Sequence, residues 1–183
     1  CEQESIEMVS FVDNTVYHKN QERVENEFLS GEPDVFTGAA ILEAVRVIDM
    51  KNTFDYPLFL AKITASIDKA NRMQVQGYGD ITGAKELQVA YALCNMPEIM
   101  RDDYKRKLFY QGEYISDESP DFLIKWIELE RSMVFDEISP LKRIYKVPID
   151  PFTETERDAV YDRVKIGRDW LCNFHEEYQK LNT

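Results

Sequence analysis

Carboxylates are the only abundant side chains in this chain that could carry out chemistry. The sequence has 34 acidic and 22 basic residues among 183, which gives a net charge of −12. Three carboxylates, Glu154, Asp158 and Asp162, follow one another at i, i+4 and i+8, so they would share one face of a helix. This face is either a solvated acidic surface or a binding site, so the three residues are candidate binding residues. Carboxylates on one helix rarely complete an oxygen cage for a divalent cation, so the pattern predicts no metal site.

Residues that commonly build metal and nucleophile sites are few and scattered. The two histidines, His18 and His175, lie far apart in the sequence, and no Glu-x-x-His pair occurs. The three cysteines, Cys1, Cys94 and Cys172, form no Cys-x-x-Cys pair, so a zinc ion would lack ligands. The sequence therefore predicts no catalytic residue, no metal and no cofactor.

Two further motifs come close to known binding patterns without completing them. Glu22 and Glu25 form a Glu-x-x-Glu pair that resembles half of the acidic motif of all-helical nucleotide pyrophosphatases. No second acidic pair on another predicted helix completes that motif. The segment from Gly77 to Lys85 contains three glycines and a lysine, but not at the spacing of a phosphate-binding loop. We interpret those glycines as helix ends.

Aromatic residues offer a second candidate binding surface. The chain contains ten tyrosines, ten phenylalanines and two tryptophans. Tyr110 and Tyr114 fall beside a predicted loop, and exposed tyrosine is enriched at protein interfaces. These two are therefore candidate binding residues, with packing in the core as the alternative use.

The cysteines bear on the compartment. Cys1 resembles the first residue of a bacterial lipoprotein after signal-peptide cleavage, whose thiol carries the lipid. Cys1 is thus the candidate lipidation site and lipid anchor, which implies a periplasmic or cell-surface location. The alternative explanation for a cysteine at the first position is a domain boundary. Cys94 and Cys172 lie on apolar faces of predicted helices, which favours buried thiols and the cytoplasm. A single Cys94–Cys172 disulfide stays open for an exported protein. No apolar run approaches the roughly 18 residues of a transmembrane helix.

The hydrophobic pattern that must position these residues has the period of α-helices. Apolar residues recur at spacings of three and four, as in Ile6, Val9 and Val12. The predicted helical segments are 2–29, 37–50, 57–76, 82–96, 97–108, 120–137, 138–145 and 153–181. Residues 108–115 also fit a small β-hairpin that turns at Gln111 and Gly112. The expected fold class is all-α: a single domain over residues 1–183, built as a bundle of seven to eight helices.

The last helix has the clearest start signal. Thr153 and Glu156 match a capping box, in which each side chain bonds to the other residue's backbone N–H. An apolar stripe then runs along the helix, with Gly167 in its middle. Because a mid-helix glycine costs about 1 kcal/mol relative to alanine, we expect another element to cross closely at Gly167. The last helix should accordingly lie in the centre of the bundle.

These observations favour a non-enzymatic, acidic protein-interaction domain: a regulator, an inhibitor or immunity protein, or a component of an assembly. Its partner would be a protein with a basic surface, and the net charge disfavours nucleic acid. One alternative is a lipoprotein anchored through Cys1 that binds a soluble ligand. The other is an enzyme that works through carboxylates, with Asp158 and Asp162 as its candidates. The sequence leaves the oligomeric state open.

Overall fold

A computed structural model describes residues 2–112 and 114–181, with side chains as far as residue 178. These residues form seven α-helices, one 3₁₀ turn and seven β-strands. The helices are α1 (Glu2–Asp13), α2 (Tyr56–Thr64), α3 (Lys69–Thr82), α4 (Glu98–Gln111), α5 (Pro120–Glu130), α6 (Pro140–Arg143) and α7 (Glu154–Leu181), and the 3₁₀ turn is Ile41–Glu43. The strands are β1 (His18–Lys19), β2 (Val24–Glu25), β3 (Ser30–Gly31), β4 (Val35–Thr37), β5 (Arg46–Thr53), β6 (Glu86–Leu93) and β7 (Ile144–Ile149).

A mixed sheet lies at the centre of the fold. Five strands pair in the order β1-β4-β5-β6-β7, and β2 and β3 form a separate two-stranded hairpin. The long strands β5 and β6 are parallel, and every other neighbouring pair in the large sheet is antiparallel. Parallel neighbours need a crossover connection, which α2 and α3 supply. The prediction of an all-α bundle is therefore wrong: the fold is α/β.

The error lies mainly in the two central strands. The segments 37–50 and 82–96, predicted as helices, hold the first half of β5 and the whole of β6. Strands that are covered on both faces read as near-continuous apolar runs and do not alternate. Residues spaced by three or four can be picked out of any such run, so periodicity cannot distinguish it from a helix. In β6, the last five residues are all buried.

Helices cover both faces of the sheet. Phe59 of α2 and Val75 of α3 belong to a core that includes Val47 of β5. Val9 of α1 belongs to a second core, on the opposite face, that includes Ile48. Successive strand residues point to opposite faces, so positions 47, 49 and 51 of β5 share the face that α2 and α3 cover.

Several predicted helix signals are confirmed, whereas the predicted hairpin is not. In the capping box, the Thr153 backbone N–H donates to Glu156 Oε2 at 2.9 Å, and the Glu156 N–H donates to Thr153 Oγ1 at 3.2 Å. Pro57 lies in the first turn of α2, as its type predicts. The proposed hairpin at 108–115 is wrong, because α4 continues through residue 111 and the described residues 112, 114 and 115 form no strand.

Helix α7 is anchored at one end and does not lie in the centre of the fold. The ring of Tyr161 stacks on Phe28 with centroids 4.0 Å apart. Farther along, Trp170 and Phe174 are 62% and 53% exposed. A Cβ added at Gly167 would meet no atom of another described element within 4 Å. The predicted close crossing at Gly167 is therefore wrong.

The cysteine predictions have mixed outcomes. Cys94 is buried, as predicted, whereas Cys172 is exposed on α7, and neither is in a disulfide. Cys1 lies outside the described residues, so its lipidation stays a prediction. Among the described helices, none combines the length and the apolar character needed to cross a bilayer.

Candidate active site on the covered face of the central sheet

Three charged side chains converge where β4 and β5 pair. Val35 of β4 lies opposite Ile48 of β5 in the antiparallel ladder. Continuing that register by one residue places Asp34 opposite Asp49, and directly opposed residues point to the same face. Lys51 follows Asp49 by two positions, so it shares this face as well. The two carboxylates and the ammonium group therefore meet beneath α3.

Asp49 is a buried carboxylate that pairs with Lys51. The residue is 1% exposed. Its Oδ2 lies 2.8 Å from Lys51 Nζ, so the carboxylate and the ammonium group form an ion pair. Burial raises the pKa of Asp49, and Lys51 opposes that rise only in part. A carboxylate held in this way is poised to accept a further positive charge.

Asp34 is fixed by the backbone of the neighbouring strand. Its Oδ2 accepts the N–H of Met50 at 2.8 Å. Burial raises the pKa of Asp34, the Met50 N–H lowers it, and the nearby Asp49 charge raises it again, so the net shift is upward. A carboxylate that is buried beside a second carboxylate forms part of a site that a cation would stabilise.

Lys51 is held in its charged form. Burial alone would lower the pKa of Lys51, but Asp49 and Asp34 outweigh that effect, and the pKa is raised. The side chain is one-third exposed, so the ammonium group reaches solvent. Lys51 Nζ also donates to Gln74 Oε1 of α3 at 3.4 Å, and Gln74 Nε2 donates to the Tyr78 hydroxyl at 2.7 Å. Two residues of α3 thus orient the lysine.

Gly31 makes room for the ring of Tyr78. A Cβ at Gly31 would lie 2.7 Å from Tyr78 Cε1, closer than carbon atoms approach without displacement. Asp49 and Asp34 both contribute to the raised pKa of Tyr78, after burial, so the phenol lies within their field. The β2–β3 hairpin therefore helps to seat a side chain of the site.

A small cavity of about 120 Å³ opens beside Lys51. Lys62 of α2 and Asn71 of α3 line it together with Lys51 and Asn52. Apolar side chains, among them Phe59, line much of the cavity as well. The Lys51 and Lys62 ammonium groups are its donors for an anionic oxygen such as that of a phosphate.

The donor set fits a small, hard divalent cation. Mg²⁺ is commonly bound through one or two carboxylates, with water and substrate phosphates completing its ligands. Asp34 and Asp49 supply the two carboxylates, and Asp49 is buried with Lys51 as its ion-pair partner. The described residues contain no group of three or more histidine, cysteine or acidic side chains arranged for a metal. A site of this kind therefore depends on ligands from the substrate and water.

The acidic residues predicted to bind lie elsewhere. Glu154, Asp158 and Asp162 are exposed on α7 and take no part in the cluster around Asp49. Asp162 pairs with Lys165 on the same helix at 3.2 Å. The structure therefore locates this surface on a solvated helix, and its role in binding stays a prediction.

The predicted tyrosines lie at the α4–α5 junction. Tyr110 is 78% exposed at the end of α4. Tyr114 is partly buried, and its ring packs edge-on against Phe122 with centroids 5.2 Å apart. The two tyrosines therefore flank one aromatic cluster, and their role in binding likewise stays a prediction.

The remaining candidates are dispersed. His18 lies on strand β1 and His175 on α7, both exposed. Glu22 precedes β2 and Glu25 lies within it, so the pair is not on a helix. The resemblance to the helical pyrophosphatase motif therefore has no structural basis.

Sequence reasoning missed all three residues of the cluster. Asp49 and Lys51 interrupt an otherwise apolar run, Val47-Ile48-Asp49-Met50-Lys51, at the end of the predicted helix 37–50. Charged residues within a run that must be buried are costly unless they are paired or functional. Two charges in a buried run were therefore the sequence signal for Asp49 and Lys51. Asp34 could be assigned to the same site only from the pairing of β4 with β5.

One solved structure relates this fold to a known protein. The chain is similar to a phage-related exonuclease from Haemophilus somnus 129PT, with a TM-score of 0.61 and 22% sequence identity. The match covers 97% of this chain and 70% of that one, and at this identity it establishes the fold alone. No family model and no curated protein matches the chain.

These findings correct the functional prediction. The predicted non-enzymatic helical interaction domain is wrong, because the chain has an α/β fold shared with an exonuclease. The alternative of an enzyme that works through carboxylates is better supported, although with different residues from those the sequence indicated.

Proposed function

We propose that this protein is a divalent-cation-dependent nuclease that hydrolyses phosphodiester bonds. The observation that carries the proposal is the convergence of Asp34, Asp49 and Lys51 on one face of the sheet. The shared fold with a phage-related exonuclease supports it. The ammonium groups of Lys51 and Lys62, which line the neighbouring cavity, support it as well, because a nucleic-acid substrate brings phosphate groups to the site.

The residues have distinct roles in this proposal. Asp34 and Asp49 would hold the cation. When bound, the cation supplies charge neutralisation at the phosphate and lowers the pKa of a water molecule. Lys51, kept protonated by its carboxylate neighbours, donates hydrogen bonds to the phosphate oxygens as negative charge develops on them. Gln74 and Tyr78 hold the lysine in place.

The hydrolysis itself needs only water as a co-reactant. A water oxygen forms a bond to phosphorus, the ester P–O bond breaks, and the leaving oxygen takes up a proton. Protonated Lys51 acts as an electrostatic stabiliser, because its ammonium group donates hydrogen bonds to the phosphate oxygens.

The proposal departs from two expectations that no observation tests. The net charge of −12 disfavours nucleic acid at long range, and the scattered histidines and cysteines suggested no metal. Net charge averages over the whole surface, whereas binding depends on the local field. A divalent cation between Asp34 and Asp49 would reverse the sign of that field at the site.

The test compares two substrates in Mg²⁺ and in EDTA. One is bis(p-nitrophenyl) phosphate, a small chromogenic diester, and the other is end-labelled DNA. Asp49→Asn and Lys51→Ala should each lower the rate on both substrates by about a hundredfold or more. Asp158→Asn is the matched control, because it removes one exposed carboxylate far from the cluster, and its rate should equal the parent's. Full activity in Asp49→Asn, or equal loss in Asp158→Asn, would refute the proposal.

A further inference from the structure

The α4–α5 helical hairpin encloses a second cavity, outside the cluster around Asp49. Its volume is about 550 Å³, which lies within the range of ligand pockets. One face of α4 forms a wall, with Asp102, Lys105, Arg106 and Tyr110 at helical spacing. Phe122 of α5 closes the opposite side.

The aromatic side chains of this cavity form a platform with one exposed ring. The Phe109 ring packs edge-on against Phe122 with centroids 5.7 Å apart, and Phe122 is fully buried. Phe109 in turn meets Tyr110 edge-on at 5.6 Å. Tyr110 is 78% exposed, so its ring face is open to a planar ligand. Base–aromatic stacking of this kind is how proteins hold unpaired nucleotides.

The charged side chains complement a nucleotide. Lys105 and Arg106 line the cavity, and Arg106 also pairs with Asp103 on the same helix. Both cations can neutralise phosphates. Asp102 and Asp117 line it too, and carboxylates accept hydrogen bonds from the amino groups of bases. Lys105 lies 5.9 Å from the ring centroid of the nearly buried Trp126, which limits its freedom.

The topology places this hairpin at the same end of the sheet as Lys51. Strands β5 and β6 are parallel, and Lys51 lies two residues from the end of β5. Helix α4 begins shortly after the end of β6, so it starts at the same edge. The rings of Tyr56, at the start of α2, and Phe135, after α5, lie 6.5 Å apart and connect the two regions. Ligands of α/β proteins commonly bind at this edge of the sheet.

We infer that the α4–α5 cavity is a binding site for a single strand of nucleic acid, stacked on Tyr110 with its phosphates on Lys105 and Arg106. The inference rests on the proposed nuclease function and adds a place where the strand is held beyond the reacting phosphate. It predicts that binding of long substrates, but not of small ones, depends on this hairpin.

Helix α4 itself offers matched controls. Lys107 and Tyr104 are exposed on α4 but do not line the cavity, and the Lys107 ammonium lies over the Tyr104 ring. Lys105→Ala is compared with Lys107→Ala, and Tyr110→Ala with Tyr104→Ala. Because Tyr110 is largely exposed, its replacement should not affect folding, which a thermal melt checks.

Binding is measured by fluorescence anisotropy with a labelled 15-nucleotide oligothymidylate, in the Asp49→Asn background to prevent cleavage. Lys105→Ala and Tyr110→Ala should each raise Kd about tenfold. Lys107→Ala and Tyr104→Ala should change Kd less than twofold. The slope of log Kd against log salt should fall by about 0.7 for Lys105→Ala. Equal effects within either pair, or no effect from Lys105→Ala and Tyr110→Ala, would overturn the inference. Equal weakening of a blunt duplex by Tyr110→Ala would overturn the assignment to a single strand.

The chromogenic diester separates this inference from the proposed function. In the parent background, Lys105→Ala and Tyr110→Ala should hydrolyse bis(p-nitrophenyl) phosphate at the parent's rate, because that substrate is too small to span both sites. Hydrolysis without any dependence of oligonucleotide binding on Lys105 or Tyr110 leaves the nuclease proposal standing and removes the cavity's role. If oligonucleotide binding depends on Lys105 and Tyr110 but the parent hydrolyses no diester, the cavity's role stands and the nuclease proposal is refuted.

Discussion

At the scale of single residues, burying the charges of Asp34 and Asp49 side by side lowers the stability of the fold. Burial, followed by the Asp49 charge, raises the pKa of Asp34 above 3.8 despite the Met50 hydrogen bond. At a pH between the unfolded-state pKa and the higher folded-state pKa, the folded protein binds more protons at this carboxyl than the unfolded chain does. Stability therefore falls as pH rises through that window. Ionisation of Asp34 therefore weakens the fold, and a bound cation would offset that cost.

Asp34→Asn should relieve that cost. The amide keeps an oxygen to accept the Met50 N–H and removes the charge opposite Asp49. In EDTA at pH 7, we expect the variant to melt at or above the parent temperature and to lose less stability between pH 4 and pH 7. Mg²⁺ should raise the melting temperature of the parent but not of the variant, because a ligand stabilises the state that binds it. Calorimetry measures both effects, and a variant that melts well below the parent in EDTA would contradict the argument.

At the scale of elements, α3 joins the core to the site. Val75 and Ile81 pack in the core. From the same helix, Gln74 accepts from Lys51 and donates to Tyr78. The β2–β3 hairpin contacts this helix through Gly31, whose missing side chain leaves space for Tyr78. The position of Lys51 thus depends on a contact between two elements that lie outside the five-stranded sheet.

Gly31→Ala should disturb this contact. The added Cβ displaces the Tyr78 ring, which should destabilise the protein by about 1–3 kcal/mol and lower the hydrolytic rate. Gly77→Ala, on helix α3, is the control. Its Cβ would meet only Leu29 Cδ1, at 3.8 Å, which is an ordinary van der Waals contact. Urea denaturation and rates on the chromogenic diester measure both variants. A Gly31→Ala protein as stable and active as Gly77→Ala would show that the close approach has no consequence.

Gly167→Ala on α7 tests the corrected position of that helix. With no other described element near the added Cβ, only helix propensity changes, and alanine should stabilise α7 by up to about 1 kcal/mol. Helicity at 222 nm and the midpoint of unfolding report the effect. A loss of stability would instead support the crossing that the sequence suggested.

At the scale of the whole molecule, the far part of α7, residues 169–178, is exposed along its described length. Arg168 NH2 donates to the Glu27 carbonyl at 2.7 Å, and every described side chain from 169 to 178 is exposed. The acidic surface of Glu154, Asp158 and Asp162 lies on the same helix, so a protein partner with a basic surface stays a prediction for this part of the molecule.

Removal of residues 169–183 should therefore leave the fold intact. A substitution of one exposed residue usually changes stability within about 0.5 kcal/mol, so loss of this exposed stretch should shift the melting temperature by about a few degrees. Scanning calorimetry and the rate on the chromogenic diester should match the full chain within that margin. A fall of many degrees would mean that the far part of α7 supports the core.

The sequence by itself determined the features that depend on neighbours along the chain. The capping box at Thr153 and Glu156 and the proline start of α2 are local signals, and both are confirmed. The central strands could not be identified in this way, because a run buried on both faces carries no period of two. The acidic surface on α7 was visible only because its residues lie on one helix.

The candidate site was decided by the tertiary structure alone. Asp34 and Asp49 are 15 positions apart in sequence, and only the antiparallel pairing of β4 with β5 sets them opposite each other. Gln74 and Tyr78 join Lys51 only because the crossover lays α3 on that face. Chemistry that depends on charges brought together across strands has no signature in local spacing. Sequence periodicity records burial along one element, and it does not record which elements become neighbours.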